Sequence, residues 1–189
     1  MTTNPKFEIR GFNHVALVCA DMARTVDFYS NVLGFKLMKS LDLPFGMGQH
    51  FFFDAGNGNS IAFFWFPNAP DGIPGISAPA EKPGYGEWTS AVGSLNHIAF
   101  DVPPEKFAEY RARLKEAGVK VSPIVNHDDS ETQVATEMHD GVYVRSFYFQ
   151  DPDGILLEFA CWLREFRPDD VVSPPRTAAD RRTPITSPS

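Results

Sequence analysis

The chain has 189 residues, of which 43% are hydrophobic and 13% aromatic, enough to build one domain or two small modules with a shared core and to exclude wholesale disorder. Its 17 basic and 24 acidic side chains give a net charge of −7, which argues against nucleic acid or an anionic membrane as a partner. The N-terminus has no apolar signal core, and no apolar run approaches the roughly 20 residues that cross a bilayer. We therefore expect a soluble, cytoplasmic protein.

The first half of the chain predicts one strand, one helix and three further strands. Residues 12–19 form an apolar strand, and Asp21 then caps an amphipathic helix that Gly34 ends. An alternating strand follows that glycine at residues 35–38. The last two predicted strands form a hairpin joined through a loop rich in glycine and asparagine; these strands are residues 49–54 and 60–66.

The second half repeats the same order. A strand at residues 95–102 precedes a helix that starts near Pro103-Pro104 and ends before Gly118. A short strand at 119–121 follows, then a polar excursion at 122–141 in which His127, beside two aspartates, is expected to be a solvated turn. The closing hairpin strands are residues 142–150 and 155–162.

The repetition predicts an α+β fold of two tandem βαβββ modules that form a mixed-sheet cup. The first module is residues 1–66 and the second is residues 95–166. The Pro- and Gly-rich loop 67–94 connects them and is expected to cover a cleft. Residues 167–189 lack apolar periodicity and are expected to be a flexible tail. Cys19 and Cys161 lie inside predicted strands without metal or redox spacing, so buried reduced thiols are expected.

A short sequence motif that occurs twice contains the candidate metal-binding histidines. Asn13-His14-Val15-Ala16 opens the first module, and Asn96-His97-Ile98-Ala99 opens the second. A carboxylate, Glu158, lies in the last strand of the second module. Two histidines and one carboxylate, each inside an apolar strand, are the ingredients of a mononuclear metal site with open coordination positions. We predict that His14, His97 and Glu158 bind one divalent ion.

Period-two alternation places these residues on one side of the second sheet. His97 is predicted to face away from the helix, and so is Glu158, a carboxylate that burial among apolar neighbours would make costly without a cation or proton. Asp151-Pro152-Asp153-Gly154 suits a three-residue loop with a glycine in the left-handed conformation. That loop pairs Tyr148 with Glu158, whereas a two-residue loop would shift the register by one and separate them.

On these residues and motifs the chain resembles the vicinal oxygen chelate superfamily, which includes glyoxalase I, fosfomycin and bleomycin resistance proteins, and extradiol ring-cleaving dioxygenases. The resemblance covers about residues 12–162. It implies that His14, His97 and Glu158 are the metal ligands, in a cup between the two modules. Aligning residues 60–64 with residues 154–158 puts Phe64 where glyoxalase I-like members carry a fourth ligand, a glutamate.

The closest branch by this resemblance is that of the extradiol dioxygenases. Ser146-Phe147-Tyr148, Asp151-Pro152, Gly154 and Glu158 resemble the ring-cleavage signature, with His139 at the expected distance before Phe147. The resemblance implies that Tyr148 hydrogen-bonds a substrate or an oxygen intermediate and that His139 donates a hydrogen bond from just outside the ligands of the metal.

The chain departs from that branch at two positions. Asn59 stands near the place of the usual acid–base histidine, and an asparagine cannot shuttle a proton at neutral pH. His50, on a neighbouring strand, is the candidate replacement. Glu137 occupies a signature position normally held by a small or β-branched residue.

The leading hypothesis is an Fe(II)-dependent extradiol-type dioxygenase that acts on a small catecholic or vicinal-oxygen substrate and O2, as a homodimer. One alternative is a glyoxalase-like lyase or isomerase that uses Zn2+, Ni2+, Co2+ or Mn2+. Another is a non-catalytic protein that binds a small molecule such as an antibiotic. The aromatic residues of the first hairpin would then line the pocket.

Overall fold

The computed structural model describes residues 12–69, 95–166, 170 and 173. Most of the connecting loop and of the C-terminal segment lie outside the described residues, so the predictions of a cleft-covering loop and a flexible tail stay predictions. The strands and helices of the described residues are β1 His14–Val18, α1 Met22–Val26, β2 Leu37–Asp42, β3 Gln49–Gly56, β4 Asn59–Trp65, β5 Ile98–Asp101, α2 Phe107–Glu116, β6 Val125–His127, β7 Val134–Ala135, β8 Val144–Gln150 and β9 Leu156–Trp162.

The two halves of the chain build two mixed sheets. The first has four strands in the order β1-β4-β3-β2, with β1 parallel to β4. The second has five strands in the order β5-β9-β8-β6-β7, with β5 parallel to β9. Each half therefore has the order βαβββ, and β7 extends the second sheet. The predicted α+β fold of two modules is confirmed.

Both helices begin and end near the predicted residues. The Asp21 carboxylate accepts a hydrogen bond from the Arg24 amide at 3.0 Å and so caps α1, which continues as a π-helical segment at Asp27–Val32. Gly34 then takes a φ of 74°, a left-handed conformation that a side chain would strain. A short 3-10 turn at Pro104–Lys106 leads into α2.

The polar stretch of the second module differs from its prediction. Residues 119–121 form no strand beyond an isolated bridge from Val121 to Phe149. The third strand is β6, inside the stretch predicted as an irregular excursion, and His127 is a half-buried member of it. Pairing with β8 on one side and β7 on the other gives the backbone of β6 hydrogen-bond partners, which outweigh its polar composition.

One hydrophobic core joins the two modules. Alternate residues of each sheet point at the helices, a side we call the helix face. Buried residues of both helix faces belong to the same core cluster, including Phe53, Phe63, Phe147, Leu157 and Phe159. We call the opposite side of each sheet the metal face, because it carries His14 in the first module and His97 in the second. Since the helix faces share the core, the metal faces point outward from it.

Polar contacts between the two modules stabilise this arrangement. Arg24 of α1 donates to the Asp153 carboxylate at 2.6 Å, and the Tyr29 hydroxyl donates to the Asp151 carboxylate at 3.3 Å. Both aspartates lie in the turn between β8 and β9. Within the described part of the chain, no helix is long and apolar enough to span a membrane.

Candidate metal centre

The metal face of the second module brings one histidine and one carboxylate together. His97 precedes β5, and Glu158 lies on the adjacent strand β9, where it pairs with Ala99. The Nε2 atom of His97 is 2.9 Å from Oε2 of Glu158. Period-two alternation predicted that both side chains face away from the helix, and that prediction is confirmed.

Each repeated histidine is held by the asparagine before it. His97 Nδ1 is 2.7 Å from Oδ1 of Asn96, and His14 Nδ1 is 2.7 Å from Oδ1 of Asn13. An amide oxygen accepts only, so Nδ1 donates to it, and Nε2 is the ring nitrogen that remains for a carboxylate or a metal. This is the usual arrangement around metal-binding histidines. The repeated Asn-His pair in the sequence contains Asn13 and Asn96, but their role in orienting the histidines was not predicted.

Glu158 is a buried carboxylate that is nevertheless held in its charged form. Its exposed fraction is 6%. Burial raises the pKa of Glu158, but the contact with His97 and the nearby imidazoles outweigh burial, so the pKa lies below its ordinary value. A buried, ionised carboxylate with an imidazole nitrogen 2.9 Å away is a donor set suited to a divalent cation.

Tyr148 stands next to that carboxylate. The predicted three-residue loop is present, with Gly154 at a φ of 83° and the Asp151 amide donating to the Ile155 carbonyl at 3.0 Å. Tyr148 consequently pairs with Glu158 across β8 and β9, as predicted. Burial, followed by the charge of Glu158, raises the pKa of the Tyr148 phenol, so the hydroxyl stays protonated at neutral pH and can donate a hydrogen bond.

The first module repeats this geometry without its polar groups. Tyr148 stands edge-on to His97 at 5.9 Å between ring centroids, and Phe52 stands in the same way against His14 at 5.7 Å. Phe52 pairs with Ala62, as Tyr148 pairs with Glu158.

Strand register therefore places Ala62 at the position of Glu158, and the alignment that put Phe64 there is wrong by two residues. Ten positions separate Phe52 from Ala62, and ten separate Tyr148 from Glu158, so the two hairpins match in length and the error lay in the choice of residues aligned along the last strand. That shift of two residues kept Phe64 on the same face. The conclusion that this position offers no fourth metal ligand still holds, because alanine, like phenylalanine, cannot bind a metal.

His14 is not part of this pair within one chain. It lies on the exposed metal face of the first module, beside Phe52. No three His, Cys, Asp or Glu side chains converge on a common point among residues 12–69 and 95–166. The reason is the shared core, which turns the two metal faces outward. The expected three-ligand set is thus divided into His97 with Glu158 on one surface and His14 on another.

The remaining candidate residues lie in other settings. His139 is half exposed, and its Nε2 is 3.1 Å from the Asp128 carboxylate. Asn59 donates from its side-chain amide to the carbonyls of Gly56 and Asn57 and so closes the first hairpin turn. His50 is on the metal face of the first module, stacked on Phe64 at 3.7 Å, with Nε2 buried and without a hydrogen-bond partner. The two cysteines are free and buried, as predicted.

The geometry of His97 and Glu158 fits two ligands of one ion. Bonds of about 2.1 Å from a divalent metal to an imidazole nitrogen and to a carboxylate oxygen place adjacent ligand atoms about 3 Å apart. The observed separation is 2.9 Å. The asparagine contact leaves Nε2 of His97 directed at the carboxylate. Two protein ligands at this corner leave room for a third and for substrate oxygens.

Comparison with known proteins gives concordant matches. Residues 11–159 match the family model of the Glyoxalase/Bleomycin resistance protein/Dioxygenase superfamily. The metallothiol transferase FosB of Shouchella clausii is 26% identical over 150 residues, which are 79% of each chain.

Solved structures agree with that match. A glyoxalase family protein from Enterococcus faecalis is 25% identical with a TM-score of 0.55, covering 80% of this chain and 97% of that one. The fosfomycin resistance protein FosX of Listeria monocytogenes, solved with Mn(II) and sulfate, is 24% identical with a TM-score of 0.51, covering 81% and 93%. Because the family model spans most of the chain, this protein belongs to the Glyoxalase/Bleomycin resistance protein/Dioxygenase superfamily.

Proposed function

We propose that this protein is a divalent-metal enzyme that acts on a small substrate with two neighbouring oxygen atoms. The observation that carries the proposal is the ionised, buried Glu158 with His97 at 2.9 Å. A protonated phenol, Tyr148, stands beside that carboxylate. The match of the chain to a family that holds dioxygenases supports the same class of chemistry.

The complete site is built by two copies of the chain. His97 and Glu158 of one subunit form two ligands, and His14 of the partner subunit forms the third. Three observations support this arrangement: His14 is exposed, Asn13 orients it as Asn96 orients His97, and no third ligand lies near the pair within the described part of one chain. A two-fold dimer in which metal face meets metal face buries both exposed surfaces and gives two equivalent sites.

For the reaction we propose extradiol-type ring cleavage of a catechol, with Fe(II) and O2. A bound divalent ion would hold both oxygens of the substrate and stabilise the charge that they develop. Glu158 contributes negative charge on one side. Tyr148 donates a hydrogen bond from the same side to a substrate oxygen, because its raised pKa keeps the proton on the phenol. Val125 and Leu156 pack around Tyr148 and keep water from that side.

A second candidate is the chemistry of the similar fosfomycin resistance proteins, with Mn2+ as the metal. The similarity to FosB and FosX favours it. A phosphonate dianion, however, needs cationic partners. Among the described strands β5, β6, β8 and β9, no lysine or arginine lies on the metal face. Arg145 of β8 points to the helix face, over the ring of Phe107. The second module therefore offers no cation to a phosphonate on this face. In the first module, Lys39 pairs with Phe52 and so lies on the metal face that carries His14.

The two other hypotheses have less support. A proton-transfer lyase or isomerase with Zn2+, Ni2+ or Co2+ would benefit from a carboxylate in the first module, where strand register gives Ala62. A protein that only binds a small molecule needs no oriented histidine and no ionised carboxylate, whereas here Asn96 orients His97 and an ionised Glu158 lies beside it.

The test compares the two reactions on one preparation. The protein is purified without oxygen, its metal is measured by mass spectrometry, and portions are loaded with Fe(II) or Mn(II). Oxygen uptake with a panel of catechols by the Fe(II) form supports ring cleavage. Conversion of fosfomycin by the Mn(II) form in the presence of a low-molecular-weight thiol, with no oxygen uptake from any catechol, would overturn it in favour of the second candidate.

A further inference from the structure

Ser146 is a buried hydroxyl on the metal face of the second module. It lies on β8 two residues before Tyr148, so the two side chains share a face. Its exposed fraction is 0%, and its Oγ atom has no hydrogen-bond partner among the residues that the structure describes. A buried hydroxyl without a partner costs free energy, and such groups are rare in folded proteins. Packing of the strand alone does not explain a serine at this position.

The neighbours of Ser146 limit what can bond its hydroxyl. Its cross-strand partners are Val125 of β6 and Ala160 of β9, and neither side chain has a polar atom. Glu158 is two residues from Ala160 on the same face, so it is a diagonal neighbour of Ser146, at a spacing that a long side chain can bridge. The hydroxyl dipole is one of the influences that lower the pKa of Glu158 against the larger effect of burial. The hydroxyl therefore lies near the carboxylate without the geometry of a hydrogen bond.

Binding of a metal ion by Glu158 would give this hydroxyl an acceptor. Oε2 of Glu158 is 2.9 Å from Nε2 of His97, and these two atoms are the ones placed to bind one ion. A carboxylate that binds an ion through Oε2 keeps its second oxygen, Oε1, as an acceptor, and burial of Glu158 keeps bulk water from that oxygen. Carboxylate ligands of metals are usually hydrogen-bonded in turn. Ser146 lies where such a donor is needed.

We propose that Ser146 is a positioning residue that donates a hydrogen bond to Oε1 of Glu158 when a divalent ion binds at Glu158 and His97. The inference rests on the proposed function, since it assumes that these two side chains are metal ligands. It gives the buried hydroxyl a partner that the fold by itself does not supply. It also leaves the hydroxyl of Tyr148 available to the substrate.

The first measurement is the Zn2+ affinity of the full-length Ser146→Ala protein, by competition with a chelating dye. Loss of a group that orients a metal ligand commonly weakens binding 10- to 100-fold, and we expect a loss of about tenfold. Ser30→Ala is the matched control. The Oγ atom of Ser30 is also buried and has no hydrogen-bond partner among the described residues, but it lies on the π-helical segment. Its removal should leave the Zn2+ affinity unchanged.

Thermal unfolding separates positioning from a purely structural role. Because the Ser146 hydroxyl has no partner without the ion, Ser146→Ala should raise the Tm of the metal-free protein by about 2–4 °C. The further rise in Tm at a fixed Zn2+ concentration should be smaller in this variant than in the wild type, since the affinity is lower. A serine that only supports the fold would instead lower the Tm of the metal-free protein and leave the Zn2+ affinity unchanged.

A spectroscopic readout reports on the ligand itself. With Co2+ in place of Zn2+, the visible absorption of the Ser146→Ala protein should differ from that of the wild type, because Oε1 of Glu158 loses its donor and can turn to the ion. The spectrum of the Ser30→Ala protein should match that of the wild type.

The outcomes separate this inference from the proposed function. An unchanged Zn2+ affinity or an unchanged Co2+ spectrum in the Ser146→Ala protein would overturn the role of Ser146 and leave the proposed function standing. An equal loss of affinity in the Ser30→Ala protein would also overturn that role. Failure of the wild-type protein to bind either Zn2+ or Co2+ would overturn both.

Discussion

Tyr148 pairs with Glu158 across the β8–β9 ladder, so a phenol and an ionised carboxylate stand side by side on one face of the second sheet. The neighbour of that pair is His97, 2.9 Å from the carboxylate. The phenol cannot replace the carboxylate as a ligand while it keeps its proton. We therefore propose that Tyr148 contacts the substrate and not the metal.

Tyr148→Phe should separate substrate chemistry from metal binding. Loss of one positioned proton donor typically costs a factor of about 10² in kcat, whereas metal affinity should change less than threefold because the ligands remain. Turnover kinetics and metal titration check these two values. Tyr110→Phe on α2 is the control, since that ring packs against the core away from the metal face. A Tyr148→Phe protein with unaltered kcat would contradict the assignment.

Asn96→Ala should weaken metal binding. The amide oxygen of Asn96 fixes the ring orientation and the tautomer of His97, and removal of such a partner commonly lowers metal affinity 10- to 100-fold. Competition with a chelating dye measures the change. Asn96→Asp keeps an acceptor oxygen and should restore most of the affinity. Asn31→Ala, which removes a surface contact with Asp27, is the control. Equal affinity in the Asn96→Ala protein would show that the asparagine does not position the histidine.

The sequence predicted the site of the second module well because the relevant signals are local. Alternation along a strand gave the face of His97, and the turn residues around Gly154 gave the register of Tyr148 and Glu158. The same reasoning failed where a local signal is missing. Nothing in the polar stretch after Pro123 indicates that β8 would recruit β6, so His127 was assigned to a turn.

The local sequence patterns also could not predict how one module packs on the other. Periodicity identifies the two faces of each sheet but does not say which faces meet, so it could not show whether His14 lies beside His97 and Glu158 in one chain. That these three residues bind one ion stays a prediction. The alignment of Phe64 with Glu158 failed because it matched the apolar pattern of the two last strands without knowing their register against the neighbouring strands. A shift of two residues along a strand keeps a side chain on the same face of the sheet. An alternation of period two therefore could not reveal the error.

Asp151 gives the fold a pH dependence of predictable sign. Burial raises its pKa to about 6, although the amides of Ile155 and Asp153 donate hydrogen bonds to its carboxylate. A folded-state pKa above the unfolded value of about 3.9 means that the stabilisation from this group is full below pH 4 and is lost as the pH rises through 6.

Asp151→Asn, which carries no charge at any pH, should therefore gain in free energy of unfolding relative to the wild type as the pH rises. The rise in the pKa of Asp151 corresponds to about 3 kcal/mol in the free energy of unfolding, with most of the gain between pH 4 and 7. Urea unfolding at pH 4.5 and 7.5 measures it. Asp54→Asn, in the exposed first hairpin, should show no such trend. A difference that is the same at both pH values would contradict the role of Asp151.

The shared metal site is the central claim, and mixing two inactive variants tests it most directly. His14→Ala and Glu158→Ala each remove one ligand from every site of their own homodimers. After co-refolding of equal amounts, half of the dimers contain one chain of each kind. In such a dimer the His14→Ala chain offers His97 and Glu158 to the intact His14 of the partner subunit. About a quarter of all sites are then complete.

We predict that tight binding of Zn2+, absent from both parent proteins, returns in the mixture to about a quarter of the wild-type capacity. If instead His14, His97 and Glu158 of one chain bound the same ion, every chain in the mixture would still lack a ligand. A mixture that binds no more metal than its parents, although native mass spectrometry shows that mixed dimers have formed, would contradict the shared site.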